Sequence, residues 1–182
     1  MGFTIRLLFG RDYTVADREY GRSRYFANEQ GNSVSAYKMD PTTGLLTHSE
    51  TIPTVPDDFC ATSHCAEIKI SPDGRWLVAP NRALLATGCC SVAVFAVDAA
   101  GGGLKLSEIC LINDVADEFS PQHVAFSPCG QHCYVGDAAT ICQFHFDPNH
   151  GKLLRVKDYT CGGSDGNQTG GFQIIDLAGA CL

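Results

Sequence analysis

Along most of this chain apolar and polar residues alternate with a period of two, the spacing of a half-buried β-strand rather than a helix. AEIKIS (66–71) alternates around a charged face, and RWLVAPN (75–81) follows it across the turn Pro72-Asp73-Gly74. SVAVFAVD (91–98) is β-branched and aromatic, and LKLSEIC (104–110) alternates again, so four strands are predicted between residues 66 and 110. The same order returns in HVAFS (123–127), HCYVGD (132–137), ICQFHFD (141–147) and LLRVKDY (153–159). An incomplete copy precedes both, as RYFANE (24–29), NSVSAYKMD (32–40) and LLTHSETI (45–52), and a closing strand is predicted at GFQIIDL (171–177). No segment carries helical periodicity beyond a turn or two, and residues 1–23 are ambiguous.

The turns repeat with the strands. Ser71-Pro-Asp-Gly74 has a worn copy in Ser127-Pro-Cys-Gly130, 56 residues on. DPTTGLL (40–46) and DPNHGKLL (147–154) hold Asp-Pro and Gly at the same offsets, and Asp98-Ala-Ala-Gly-Gly-Gly is the middle version. Asp-Pro opens such a turn, and glycine supplies the positive φ that ends it. Asp40, Asp98 and Asp147 are therefore equivalent positions, 58 and 49 residues apart. A β-sandwich also alternates its strands, but it does not call for the same turn at the same offset three times. The expected fold is all-β: a partial β-propeller of about two full four-stranded blades plus parts of neighbouring blades. A divergent N-terminal segment is expected over 1–23 and the partial propeller over 24–182.

Composition narrows the partners. The 182 residues suffice for one domain with a sizeable core, and 45% apolar against 18% charged residues is a globular balance. A formal net charge of −7 argues against a nucleic-acid surface, because phosphate backbones are bound by Lys and Arg. Five of the eight arginines precede residue 25, but Asp12, Asp17 and Glu19 interrupt them, unlike an acid-poor transit peptide. MGFTIRLLFG is too short and too broken for a signal peptide, and no run approaches membrane-spanning length. A cytoplasmic protein without a membrane partner is expected. The ten cysteines include no CxxC pair, although His64-Cys65 with Cys60, or Cys129 and Cys133 with His132, outline partial metal sites. Free cysteine behaves as a small hydrophobe, so core thiols are expected and no metal.

Four stretches carry a resemblance. Tyr25-Phe-Ala-Asn-Glu29, Asn32-Ser-Val-Ser-Ala-Tyr37, Asp40-Pro-Thr-Thr-Gly44 and the run from Ala66-Glu-Ile through Ser71-Pro-Asp-Gly-Arg75 to Asn81-Arg82 together resemble the lactonase-type seven-bladed propellers. These include the propeller form of 6-phosphogluconolactonase and the carboxymuconate-cyclising enzyme. The resemblance runs from about residue 24 to about residue 160 and falls within the C-terminal half of such proteins. Its telling feature is spacing: Glu29 ends one blade's second strand and Arg82 ends the next blade's, with Ala138 at the third equivalent place. Such strand ends face the central channel. The resemblance implies a 6-phosphogluconolactonase-like hydrolase of a phosphorylated sugar lactone, needing no metal or redox cofactor. It carries Glu29 and Arg82 over to catalysis and Glu67 to substrate binding. Gln122, which can still donate hydrogen bonds, and His123, which could stand in for a family histidine, are added as substrate-binding candidates. An arginine fork would hold phosphate or a developing oxyanion, while a carboxylate would activate water or orient the arginine.

The chain also departs from that family. Tyr13-Thr-Val-Ala stands where the family has a Gly-Pro-Arg-His-like segment, Gln122 stands for an arginine, and Ala83-Leu-Leu-Ala-Thr-Gly88 replaces a Gly-His-Asp-Ser-like loop. A seven-bladed ring needs about twice this length, which predicts a fragment with unpaired strand edges open to self-association. Two alternatives follow. One is a non-catalytic partial propeller acting as an interaction module, with Glu29 and Arg82 as a plain salt bridge; the other is a lactone-forming, carboxymuconate cyclase-like enzyme.

Overall fold

The computed structural model describes residues 15–17, 23–59, 62–83, 90–112, 119–137 and 139–160. All regular structure among them is β, and no helix there is long and apolar enough to cross a membrane. Three antiparallel sheets follow one another along the chain. The first holds β1 (Val15–Asp17), β2 (Ser23–Asn28), β3 (Ser33–Met39) and β4 (Leu46–Pro53), in that order. The third holds β10 (His123–Phe126), β11 (His132–Gly136), β12 (Thr140–Asp147) and β13 (Lys152–Thr160). Between them lies a sheet of β7 (Trp76–Ala83), β8 (Cys90–Val97) and β9 (Leu104–Ile112), with β5 (Ser63–Cys65) and β6 (Lys69–Ile70) both paired to β7. Each is a meander, the blade unit of a propeller. The first sheet, expected as three strands, has a fourth in β1, which pairs with β2. The segment 171–177 lies outside the described residues.

The repeated turns form as their chemistry dictates. The amides of Gly44, Gly102 and Gly151 donate to the carbonyls of Asp40, Asp98 and Asp147 at 2.8, 2.9 and 2.8 Å, with glycine φ of 73°, 70° and 63°. The Ser71 and Ser127 hydroxyls each accept an amide five residues on, from Trp76 and His132, at 3.0 Å. Burial alone would raise the Asp73 carboxyl, but the Ser71 hydroxyl and the Arg75 amide and guanidinium outweigh it and hold the group below the usual carboxylate range. A carboxyl depressed by folding stabilises above its unfolded pKa of about 3.9 and loses that contribution as pH falls through the folded value. Asp73→Asn should therefore flatten the fall in melting temperature below about pH 4.

Blade-to-blade packing supplies the core. β7 and β8 are buried on both faces, which explains their near-continuous apolar runs, whereas β2 and β12 alternate. Leu77, Ala79, Ala93 and Phe95 pack on Tyr25, Ala27, Val34 and Ala36 of the first sheet. Val78, Val92 and Val94 pack on Val124, Val135 and Phe144 of the third. Polar ties cross the same junctions: Glu50 accepts the Leu104 amide at 2.6 Å, and Glu108 accepts the Leu153 amide at 2.8 Å. The turn glycines are seated there too. A Cβ on Gly151 would run into the Trp76 ring, while a Cβ on Gly44 would meet nothing within 4 Å. Both Gly→Ala changes carry positive-φ strain of about 1–2 kcal/mol, but only Gly151→Ala adds the collision. Gly151→Ala should lower the denaturation midpoint clearly more than Gly44→Ala; equal losses would contradict this packing.

One predicted strand is broken. AEIKIS yields only Lys69–Ile70 as strand, and Ser63–Cys65 pairs separately with the end of β7. Four steps from Cys65 to Lys69 face three from Asn81 to Val78. Proline has no N–H to complete a ladder, so Pro80 accepts the Ala66 amide at 2.9 Å but returns nothing. The resulting bulge turns the Glu67 amide away from β7 and onto the Gln122 carbonyl of the third blade, at 3.2 Å.

Most described thiols sit in the core. Cys65, Cys90, Cys133 and Cys142 are buried and free, and burial pushes the Cys65 and Cys142 thiols up to about 12. Cys129 departs from the expectation of free thiols, because it is disulfide-bonded. It stands where Asp73 stands in the preceding blade.

Candidate functional site

Strand ends at one side of the blades carry the chemistry. Asn28, Asn81 and Asp137 occupy equivalent places and organise the backbone around them. Asn28 donates to the Ser33 and Ser35 hydroxyls at 3.0 and 2.9 Å. Asn81 accepts the Thr54 hydroxyl at 2.6 Å and donates to the Thr54 carbonyl at 3.0 Å. Asp137 accepts the amides of Ser120, Ala139 and Thr140. The next residue in each blade is Glu29, Arg82 and Ala138; Ala138 itself lies outside the described residues.

Glu29 and Arg82 meet directly. Arg82 Nη2 donates to Glu29 Oε1 across the junction of the first and second blades. Both side chains are half-buried, and burial lowers the Arg82 pKa, although a guanidinium remains charged. The glutamate sits in the β2–β3 turn, whose carbonyl at Glu29 accepts the Cys65 amide at 3.1 Å. Arg82 is held in a strand because β5 extends the pairing of β7 to Ala83, placing His64 opposite Arg82. His64 Nδ1 lies 3.5 Å from Glu29 Oε1, so carboxylate, guanidinium and imidazole form one group.

The other three predicted residues form a second group at the next junction. Glu67 Oε2 accepts the Val124 amide at 3.1 Å and lies 3.4 Å from His123 Nδ1, while Lys69 Nζ lies 3.8 Å from Glu67 Oε1. Gln122 joins through its backbone, since its carbonyl takes the Glu67 amide, and its side chain is exposed. Sequence reasoning placed Glu67 here but missed Lys69. It noted His64 only as a partial metal ligand. The usable signal was that residues just before AEIKIS must lie beside Asn81-Arg82. Among the described residues no group of three or more His, Cys, Asp or Glu is placed to hold a metal ion.

Relatives share this architecture. A 6-phosphogluconolactonase of Pectobacterium carotovorum subsp. carotovorum (strain PC1) is 27% identical over 143 residues, covering 78% of this chain and 40% of that protein. A solved protein from Lactobacillus plantarum superposes with a TM-score of 0.67 at 25% identity, over 79% of this chain and 40% of its own. The periplasmic gluconolactonase of Pseudomonas aeruginosa, PpgL, gives 0.63 at 26% identity, over 77% and 37%. The chain thus spans about two-fifths of the length of these relatives. Residues 11–169 match the family described as lactonase, 7-bladed beta-propeller. With three consecutive meander blades and that match over most of its length, the chain belongs to the seven-bladed β-propeller lactonase family.

Proposed function

We propose that this chain carries part of the active site of a 6-phosphogluconolactonase-like enzyme, a hydrolase of phosphorylated sugar lactones. The observation that carries the reading is the contact of Glu29 with Arg82 between two blades. A buried or half-buried ion pair gives little net stability after desolvation, so stability alone is a weak reason for placing one at a strand end. Lactone opening needs a cation for the substrate anion or the developing oxyanion, and a carboxylate to handle water. Arg82 has five N–H donors, of which Nη2 binds Glu29, leaving the rest of the fork for phosphate or a carbonyl oxygen. Glu29 then orients the guanidinium and polarises water. Glu67, His123 and Gln122, one junction further, are proposed to contact the sugar hydroxyls or the phosphate, which supplies the substrate class. Self-association through open strand edges belongs to the same reading, and the exposed Leu154 and Val156 on β13 support it.

A turnover assay with 6-phosphogluconolactone tests this, with spontaneous ring opening subtracted. The chain should exceed the spontaneous rate, and Glu29→Gln should bring it down at least tenfold. An interaction module would leave both at the spontaneous rate. A cyclase would instead act on a carboxylated muconate and ignore the sugar lactone.

A further inference from the structure

We infer that His64 is the proton-transfer residue of this site, taking a proton from the water that attacks the lactone carbonyl and returning it to the departing ring oxygen. The inference rests on the lactonase reading above. Its foundation is the way the imidazole is held. Ser63 and Cys65, the residues on either side, are both tied to the turn that carries Glu29. The Ser63 hydroxyl donates to Asn32 Oδ1 at 3.0 Å, Asn32 Nδ2 donates to the Ser63 carbonyl at 2.8 Å, and the Cys65 amide donates to the Glu29 carbonyl at 3.1 Å. Asn32 itself is in the left-handed region, with φ of 44°. The backbones that carry the imidazole and the carboxylate are therefore held beside each other.

β5 also carries the pairing beyond Asn81: His64 stands opposite Arg82 and Ser63 opposite Ala83. That register brings one titratable side chain beside the arginine. Glu67 and His123 form a similar pair, but there the carboxylate also takes the Val124 amide and faces Lys69, so it is engaged as a tie between blades. Glu29 is shared between Arg82 and His64.

The chemistry follows from ring geometry. The tautomer with its proton on Nδ1, 3.5 Å from Glu29 Oε1, is the one this role requires, because it leaves Nε2 as the basic nitrogen. Two charged groups face the ring, Glu29 from the β2–β3 turn and Arg82 from β7. Water adds to the carbonyl carbon, forming a C–O bond, as its proton passes to Nε2. The ester C–O bond of the ring then breaks, and the alkoxide takes that proton to become a hydroxyl. One water is consumed and no oxidant or metal is required.

The test uses the full chain with His64→Asn, His64→Ala and Arg82→Ala, following hydrolysis of 6-phosphogluconolactone from pH 5 to 8. His64→Asn should lower kcat by ~10²-fold with KM little changed and lose the acid limb of the pH profile. Added imidazole should restore part of the rate to His64→Ala, which a structural role would not allow. Wild-type-like rates and pH profile in His64→Asn, with Arg82→Ala inactive, overturn the assignment and leave the lactonase reading intact. A wild-type chain at the spontaneous rate overturns both.

Discussion

Arg82→Ala is expected to reduce kcat/KM for 6-phosphogluconolactone by about 10²–10³-fold, the loss typical when a single charge-stabilising donor is removed. The reduction comes from two sources. The ligand loses its cation, and the Glu29 carboxylate loses the donor that fixes it, since Nη2 is bonded to Oε1. Arg82→Lys separates them. Lysine keeps the charge but not the planar fork, so it should recover part of the affinity for an anion and little of the rate. Melting temperature serves as the control for loss of fold, because removing the arginine also leaves the half-buried Glu29 carboxylate without its donor. A variant that melts like the parent yet turns over like the parent would show that this pair has no part in the chemistry.

Phe95→Ala is expected to destabilise the chain by about 3–5 kcal/mol, the cost of an aromatic cavity in a packed core. Phe95 is fully buried between the first and second blades. That junction is also the one Glu29 and Arg82 span, so loosening it should weaken ligand binding at conditions where the variant is still folded. Leu45→Ala is the comparison, since Leu45 is 70% exposed and surface changes usually stay within about 0.5 kcal/mol. Urea denaturation of both variants decides the matter, and similar midpoints would mean that the blades do not share a core.

Much of this architecture was legible because it is local. Asp-Pro and glycine at fixed offsets fold into the same turn wherever they occur, so Asp40, Asp98 and Asp147 could be equated before any coordinates. Once the strands were equated, Glu29 and Arg82 fell at matching ends, and they meet. The near-continuous apolar runs of β7 and β8 match their burial on both faces. What escaped depends on neighbours in space. The break in AEIKIS arises because Pro80, on another strand, lacks an N–H to pair with it. Glu67 was expected within a strand but lies in the break between β5 and β6, and its partners are a backbone amide and an imidazole of the following blade, the latter 56 residues away in His123. His64 was hidden for the same reason: nothing in Ser63-His64-Cys65 has a strand's length, and only docking on the Glu29 turn makes it one.

The most direct measurement is a calorimetric titration of the chain with 6-phosphogluconate, the stable ring-opened product, beside gluconate lacking the phosphate. The account predicts that the phosphorylated acid binds the parent chain, that gluconate binds at least tenfold more weakly, and that Arg82→Ala loses the phosphorylated ligand while keeping its fold. Equal affinity in the parent and Arg82→Ala, or no binding by the folded parent, would contradict it.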